Sequence, residues 1–257
     1  MQKVPPGPGV QGMAATRLMT CADCSIRNRA VCSRCGPGEL AELETIKRYR
    51  HFEHGATLAV AGEPLSFVGS VVEGHVALTR MMADGRRQIV GLLFPSDFIG
   101  RPMRPAVGYD AEAVGEVLLC TFDRPRFEAL MARSPALESR LLAMTLDELD
   151  AARETLLLLG RKTAREKVAS FLVLVARRVG QLDRPEADGS ITIDLPLGRE
   201  DMASFLGLTI ETVSRQMTAL RRDGLIQLAN GARHVEILDI DELAEISGED
   251  GDGAPIA

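Results

Sequence analysis

The distribution of apolar residues divides the chain into a strand-rich half and a helical half. Between about Phe52 and Phe122, short apolar or alternating runs are separated by frequent glycines. Such alternation is typical of strands, and Asp84-Gly85 between two of the runs indicates a hairpin. Many short strands punctuated by glycine predict a closed β-roll of the jelly-roll type. The clearest runs are Phe67–Val72, Val76–Met81, Ile89–Phe94 and Val117–Phe122.

Helical periodicity is present on both sides of this roll. Before the roll, apolar residues from Gly38 to about Arg50 recur at helical spacing and predict a short helix. After the roll, a long helix is predicted from about Ala136 to Leu159. Its apolar and small residues recur at steps of three and four, which is the seam of paired helices. We interpret the seam as a homodimer interface, although a helix packed on its own roll has the same pattern. The seam consists of Leu142, Thr145, Leu149, Ala152, Leu156 and Leu159.

The C-terminal part alternates helices with short strands. A helix over about Ala164–Val179 and a polar loop over residues 181–190 come first. The predicted order is then strand, helix, turn, helix, hairpin and helix. The two central helices, Arg199–Leu206 and Ile210 to about Arg222, are joined by a short turn that contains Gly207. This arrangement predicts a helix-turn-helix unit, to which the hairpin adds a wing.

The second of the two central helices has two distinct faces. An apolar face recurs at i, i+4 and i+7 and is expected to pack on the core. On the opposite face, Arg215 suits a bidentate contact with guanine and Glu211 suits cytosine. Arg221 and Arg222, at the end of the helix, suit phosphates. The alternative is a polar face on a winged domain that binds protein. The predicted DNA-binding residues are Glu211, Ser214, Arg215, Thr218, Arg221 and Arg222.

Composition restricts the class of protein and its compartment. The chain is 46% hydrophobic and 26% charged, which is ordinary for a globular protein. No secretory signal is visible and the apolar runs are too short to span a bilayer, so we expect a cytoplasmic protein without membrane contact. The net charge of −6 is unevenly spread: residues 161–233 hold 12 Lys and Arg against 9 Asp and Glu. The basic excess lies where the predicted DNA-binding unit needs it.

Five cysteines are the most chemically specific feature. Four of them lie in the cysteine segment, residues 21–35, as two C-x2-C pairs seven residues apart, and Cys120 follows far along the chain. Because cytoplasmic thiols remain reduced, these grouped cysteines indicate a metal site rather than disulfides. Thiolates suit either one zinc ion or an iron–sulfur cluster, and the local spacing leaves both open. Cys120, in an apolar strand, is by itself typical of a small buried residue.

Residues 206–217, LGLTIETVSRQM, together with Leu220 and GLI at 224–226, resemble the recognition segment of the CRP/FNR transcription regulators. Glu211, Ser214 and Arg215 match the pattern with which the FNR group reads TTGAT-like half-sites in double-stranded DNA. The resemblance extends from about Cys21 to Ile246. The cysteine segment and residues 160–167 are most similar to the alphaproteobacterial FNR branch.

This resemblance implies a [4Fe–4S] cluster held by Cys21, Cys24, Cys32 and Cys120. The best-known FNR pattern has fewer residues before its third cysteine than the seven found here before Cys32. Cys35 therefore remains an alternative to Cys32. The resemblance further implies an oxygen-responsive activator that contacts RNA polymerase. With its cluster intact under low oxygen, the regulator dimerises and binds palindromic DNA, whereas oxygen converts or removes the cluster and weakens the dimer.

Three other interpretations of the sequence carry different expectations. A cyclic-nucleotide sensor needs a Gly-Glu turn in the roll, but Gly100 is followed by Arg101, so no cyclic nucleotide is expected. A second alternative is a CRP-like regulator with a structural zinc site or another effector. An iron–sulfur enzyme is less favoured, since ferredoxin and radical-enzyme cysteine spacings are absent and no catalytic grouping stands out among four scattered histidines. We expect no catalytic activity.

The sequence thus predicts an α+β architecture in five parts. A flexible tail occupies residues 1–20, and the cysteine segment with the β-roll sensor domain, similar to a cyclic-nucleotide-binding jelly roll, occupies 21–135. The dimerisation helix covers residues 136–160. A winged helix-turn-helix domain covers residues 161–246, and a disordered tail covers 247–257.

Overall fold

The computed structural model describes residues 20–179, 189–228 and 233–248. The predictions for the N-terminal tail, for most of the polar loop 181–190, for the tip of the wing and for nearly all of the C-terminal tail lie outside these residues. In the described part of the chain, no helix is both long enough and apolar enough to cross a membrane.

The N-terminal half begins with hydrogen-bonded turns in the cysteine segment and continues into one antiparallel sheet. Helix α1 (Pro37–Ile46) leads directly into strand β1. The sheet runs in the order β1-β6-β3-β4, with β2 paired to β6 and β5 to β3. The predicted roll is therefore present. Its strands are β1 (Lys47–Phe52), β2 (Thr57–Ala59), β3 (Phe67–Met81), β4 (Arg87–Leu93), β5 (Phe98–Ile99) and β6 (Asp110–Asp123).

Two sequence predictions for this half need correction. The helix predicted over Gly38 to Arg50 ends at Ile46, because the following residues pair with β6 as strand β1. Phe67–Val72 and Val76–Met81 are one strand, β3, interrupted by register shifts on both sides of Glu73. At this irregularity Gly74 has a φ of 80°, and a Cβ there would lie 2.1 Å from the carbonyl oxygen of Glu116. Only glycine fits this approach of β3 to β6.

Two helices connect the roll to the C-terminal domain. Helix α2 (Arg124–Met131) was not predicted, whereas α3 (Pro135–Arg161) matches the predicted long helix within one or two residues at either end. Ser134 caps α3: its side chain accepts a hydrogen bond from the Leu137 amide at 3.1 Å. A serine cap followed by proline in the first turn is a strong helix start.

The C-terminal domain has the predicted order of elements. Helix α4 (Ala164–Arg178) is followed by β7 (Ile191–Asp194), α5 (Arg199–Leu206) and α6 (Ile210–Arg222). Strands β8 (Ile226–Leu228) and β9 (His234–Ile237) form a three-stranded antiparallel sheet with β7, in the order β7-β9-β8. Helix α7 (Ile240–Ser247) ends the described chain and packs on α4.

The C-terminal domain rests on strand β4 of the roll. Arg87 in β4 pairs with Asp201 of α5 at 2.8 Å and with Glu112 of β6 at 3.0 Å. The Gln88 amide donates to the Phe205 carbonyl at 3.1 Å, and the Ser204 hydroxyl donates to the Arg87 carbonyl at 3.0 Å. The helix-turn-helix unit is therefore held directly against the sensor roll.

Candidate functional site

Four of the five thiols line a single cavity between the cysteine segment and the roll. Cys21, Cys24, Cys32 and Cys120 surround it, and we call it the sulfur cavity. The rest of its lining is apolar except for the hydroxyl-bearing residues Tyr49 and Ser70. Within the described residues, no three His, Cys, Asp or Glu side chains converge closely enough to hold a metal ion. A metal centre here thus requires the four thiols to draw in around it.

Strand pairing places Cys120 in the wall of the sulfur cavity. In β6, Cys120 lies in register between Tyr49 of β1 and Ser70 of β3. Residues in register on neighbouring strands point to the same face of a sheet, so these three side chains form a row. Beside the row, a Cβ on Gly69 would lie 2.5 Å from the Cys120 carbonyl oxygen, and glycine allows β3 and β6 to approach closely at this point.

Internal polar contacts fold the cysteine segment over the cavity. The Arg27 guanidinium donates to the carbonyls of Cys32 at 2.8 Å and Cys35 at 3.2 Å. At the other end, Glu44 of α1 accepts from the Cys21 amide at 2.7 Å and pairs with Lys47. Burial opposes the charge on Glu44, but hydrogen bonds from Cys21 and Lys47 lower its pKa to about 2. The segment is therefore attached to α1 through a fixed negative charge.

Burial favours the neutral form of the Cys21, Cys32 and Cys120 thiols in the absence of metal. Burial raises the pKa of the Cys21 thiol to about 12. Burial also raises the pKa of Cys120, and the nearby sulfurs of Cys21, Cys24 and Cys32 raise it further. Since metals and clusters bind thiolates, loading this site must displace protons.

Cys35 does not line the sulfur cavity. It is as buried as Cys120, with 6% and 8% of their surfaces exposed, but it faces a different part of the same apolar cluster. Burial followed by the charge of Glu39 raises its pKa to about 11. The structure thus brings together the four cysteines predicted as ligands and leaves out the predicted alternative.

The cysteine segment also contacts the beginning of helix α3. The Arg140 guanidinium donates to the backbone carbonyls of Arg29 and Ala30. Arg34 donates to the Ser139 hydroxyl at 3.2 Å. These contacts connect the wall of the sulfur cavity to the first turns of the predicted dimerisation helix, and the sequence pattern gave no indication of them.

Helix α3 presents an exposed apolar face that nothing in the described chain covers. Of the six predicted seam residues, Leu142, Thr145, Leu149, Ala152 and Leu156 are exposed. Leu159, the sixth, is partly buried against the C-terminal core. Leu146 and Leu157 are exposed apolar residues that the predicted seam did not include. We call the five exposed leucines the leucine stripe: Leu142, Leu146, Leu149, Leu156 and Leu157.

Helix α6 exposes its polar face to solvent. Thr209 caps the helix by accepting a hydrogen bond from the Thr212 amide, and Gly207 forms the preceding turn with a φ of 61°. None of the described residues gives the Arg215 side chain a hydrogen-bond or ion-pair partner. The apolar residues Val213, Met217 and Leu220 are buried as predicted. All six predicted DNA-binding residues are exposed: Glu211, Ser214, Arg215, Thr218, Arg221 and Arg222.

Two of those six residues make local contacts. The Thr218 hydroxyl donates to the Ser214 carbonyl at 2.9 Å. Arg222 contacts Asp223 at 3.3 Å, and Asp223 also pairs with Arg165 at 2.7 Å. The hydrogen bond from Arg165, followed by the hydrogen bond from Arg222, lowers the pKa of Asp223. Arg215 and Arg221 remain more available to a ligand than Arg222.

Comparison with known proteins identifies the family. Residues 166–246 match the Crp-like helix-turn-helix domain, and residues 49–134 match the cyclic nucleotide-binding domain. The chain is 56% identical over 238 residues to the transcriptional activator protein FnrL of Cereibacter sphaeroides, covering 93% of this chain and 96% of that protein. This chain belongs to the CRP/FNR family of transcription regulators. It is a DNA-binding regulator and not an enzyme.

Other relatives agree with this assignment. The chain is 30% identical to the transcriptional activator protein anr of Pseudomonas aeruginosa, covering 89% of this chain and 92% of that protein. Among solved structures, FixK2 from Bradyrhizobium japonicum matches with a TM-score of 0.70 and 30% identity, covering 80% of this chain and all of that one. The predicted fold of sensor roll, long helix and winged helix-turn-helix is therefore confirmed for this CRP/FNR regulator.

Proposed function

We propose that this CRP/FNR regulator is an oxygen-responsive transcription activator of the cytoplasm that holds a [4Fe–4S] cluster in the sulfur cavity. In this proposal the cluster-loaded form pairs through the leucine stripe and binds palindromic DNA with TTGAT-like half-sites. The observation that carries it is the position of Cys120, which lines the same cavity as Cys21, Cys24 and Cys32 although it lies in the roll. That FnrL and anr are named transcriptional activators supports the activator role.

The residues around the cavity suit such a cluster. Four sulfur donors in an apolar lining are the ligand set and the surroundings that protein iron–sulfur clusters require. Cys21, Cys24 and Cys32 would hold it on one side and Cys120 on the other, which ties the cysteine segment to β6. When bound, the cluster supplies sensitivity to dioxygen, because its oxidation by dioxygen breaks it down.

The chain's own contacts explain how the cavity would influence pairing. A segment fixed by Cys120 keeps the carbonyls of Arg29 and Ala30 in place as acceptors for Arg140 at the start of α3. Release of the segment would remove these contacts from α3. The exposed leucine stripe is then the element whose pairing equilibrium the cavity shifts.

A structural zinc ion bound by the two C-x2-C pairs is the second candidate. The zinc site is supported by the position of both pairs in one short segment. It is opposed by the position of Cys35, which does not line the sulfur cavity. Zinc would leave the DNA-binding function intact but would remove the oxygen response.

Strictly anaerobic purification followed by iron, sulfide and zinc analysis separates the two candidates. We expect a brown protein with about four iron and four sulfide per chain, whose visible absorbance is lost on exposure to air. A colourless protein with one zinc per chain would refute the oxygen-sensor proposal and leave the family assignment untouched.

A further inference from the structure

One polar group in the wall of the sulfur cavity has no hydrogen-bond partner in the part of the chain that the structure describes. Ser70 is 2% exposed, and its hydroxyl has no hydrogen-bond partner among the described residues. A buried hydroxyl without a partner is destabilising, and native proteins rarely retain one without a reason. The group lies in the wall of a cavity that is otherwise apolar apart from sulfur and Tyr49.

The register of the sheet directs Ser70 toward the sulfurs. Ser70 of β3 is paired directly with Cys120 of β6, so both side chains project from the same face into the cavity. Side chains in register have their Cβ atoms about 4.5–5.5 Å apart, which is within reach of an O–H···S contact. A hydroxyl can donate, while a thiolate or a sulfide can only accept.

We propose that the Ser70 hydroxyl donates a hydrogen bond to the metal centre's sulfur, with the thiolate of Cys120, its partner in register, as the acceptor, and that this bond slows oxidation of the centre. This inference rests on the proposed function. A hydrogen bond stabilises the more negatively charged state of a sulfur ligand more than the oxidised state. It therefore raises the reduction potential and makes transfer of an electron to dioxygen less favourable.

The chain contains a matched control for this role. Ser96 is also buried, at 6% exposed, and its hydroxyl likewise has no partner in the described chain, but it does not line the sulfur cavity. Ser96→Ala removes the same hydroxyl from another buried position, away from the sulfur cavity. Ser70→Thr keeps a hydroxyl, and Ser70→Val is its isosteric counterpart without one.

The test is the resonance Raman spectrum of the iron–sulfur stretching bands in H2O and D2O, together with the rate at which visible absorbance is lost in air. We expect Ser70→Ala to lose most of the deuterium shift of the Cys120-linked band and to bleach about three- to tenfold faster, the effect of one hydrogen bond. Ser96→Ala and Ser70→Thr should behave like the wild type, and Ser70→Val like Ser70→Ala.

Outcomes for the inference and for the proposed function are distinct. Equal spectra and bleaching rates in all four variants would overturn the role of Ser70 while leaving the cluster proposal in place. If Ser70→Ala fails to assemble a centre, the Ser70→Thr and Ser70→Val pair decides: equal behaviour of those two overturns the inference. A wild-type protein without iron and sulfide would instead refute the proposed function itself.

Discussion

Cys35 and Cys120 differ in what they face rather than in how deeply they are buried. Both are almost fully inaccessible, yet only Cys120 lines the sulfur cavity. Sequence spacing alone left Cys32 and Cys35 interchangeable, because both lie in the same C-x2-C pair. The choice depends on how the cysteine segment folds over β6, and that is a tertiary property without a local signal.

Exchange of single cysteines tests this difference. Cys120→Ser is expected to abolish most iron and sulfide binding, since among the described residues it removes the one thiol that lines the cavity from the roll's side. Cys35→Ser, its matched control, should retain a full complement, because that thiol faces apolar residues. Iron and sulfide analysis of both variants after anaerobic purification provides the measurement. A brown Cys120→Ser protein, or a colourless Cys35→Ser protein, contradicts the proposed ligand set.

Two arginines of helix α6 are expected to have different roles in DNA binding. Arg215 is free of partners within the described chain and lies in the first half of the helix, where base edges are read. Arg221 lies at the end of the helix, which suits a phosphate. The sequence predicted this polar face fully, because a helix buried on one side has a periodicity that local residues alone define.

Titration of each variant with palindromic and base-changed DNA distinguishes these roles. Arg215→Ala should cost about 1–3 kcal/mol on the palindrome and reduce discrimination at one base pair. Arg221→Ala should weaken binding to all sequences alike and reduce the salt dependence by about one counterion. Fluorescence anisotropy at several salt concentrations gives both quantities. Identical profiles for the two variants would refute the division of roles.

At the level of elements, helix α3 shows how far periodicity predicts a helix and its exposed apolar face. Its bounds were predicted from apolar periodicity to within one or two residues, and the structure adds the capping by Ser134. The exposed apolar face differs from the predicted seam: Leu159 packs partly on the C-terminal core, and Leu146 and Leu157 are exposed although the seam did not include them. A spacing of three and four residues predicts which side of a helix is apolar. The position of the neighbouring domain then decides which residues on that side are covered.

A charge in the leucine stripe tests its role in pairing. Leu149→Glu is expected to raise the dimer dissociation constant by at least about 100-fold, because an unpaired carboxylate would be buried between two helices. Cluster content should not change. Met81→Glu is the control, since Met81 is exposed and apolar but lies on a β-hairpin. Sedimentation equilibrium of the anaerobic proteins measures the constant, and a Leu149→Glu protein that dimerises normally would refute the interface.

The contact between Arg140 and the cysteine segment was not predictable, since its acceptors are backbone carbonyls more than a hundred residues away in the chain. Helix α1 illustrates the same limitation: its helical pattern continues into β1, where pairing with β6 overrides local preference. Both cases are decided by long-range partners.

Loss of the Arg140 contact should separate cluster binding from pairing. Arg140→Ala is expected to keep its iron and sulfide but to dimerise about tenfold more weakly in the loaded state, the value of one or two charge-assisted hydrogen bonds. Arg161→Ala, at the opposite end of α3, removes the same charge and serves as control. Anaerobic light scattering over a concentration series reports the effect. Equal dimer stability in both variants would show that coupling takes another route.

On the scale of the whole molecule, the sulfur cavity and helix α6 lie at opposite ends of a continuous series of contacts. The cysteine segment contacts the start of α3, the leucine stripe follows along that helix, and α3 leads directly into the C-terminal domain. That domain is also held against β4 by Arg87 and Gln88. The order of these modules was predictable from the sequence, whereas the contacts that connect them were not.

The central claim is that the state of the sulfur cavity determines whether two copies of the chain pair. Sedimentation velocity of a single anaerobically purified sample, recorded before and after admission of air at constant protein concentration, tests it most directly. The account predicts a brown dimer that becomes a colourless monomer as visible absorbance is lost. A protein that loses its colour in air and still sediments as the same dimer would contradict it.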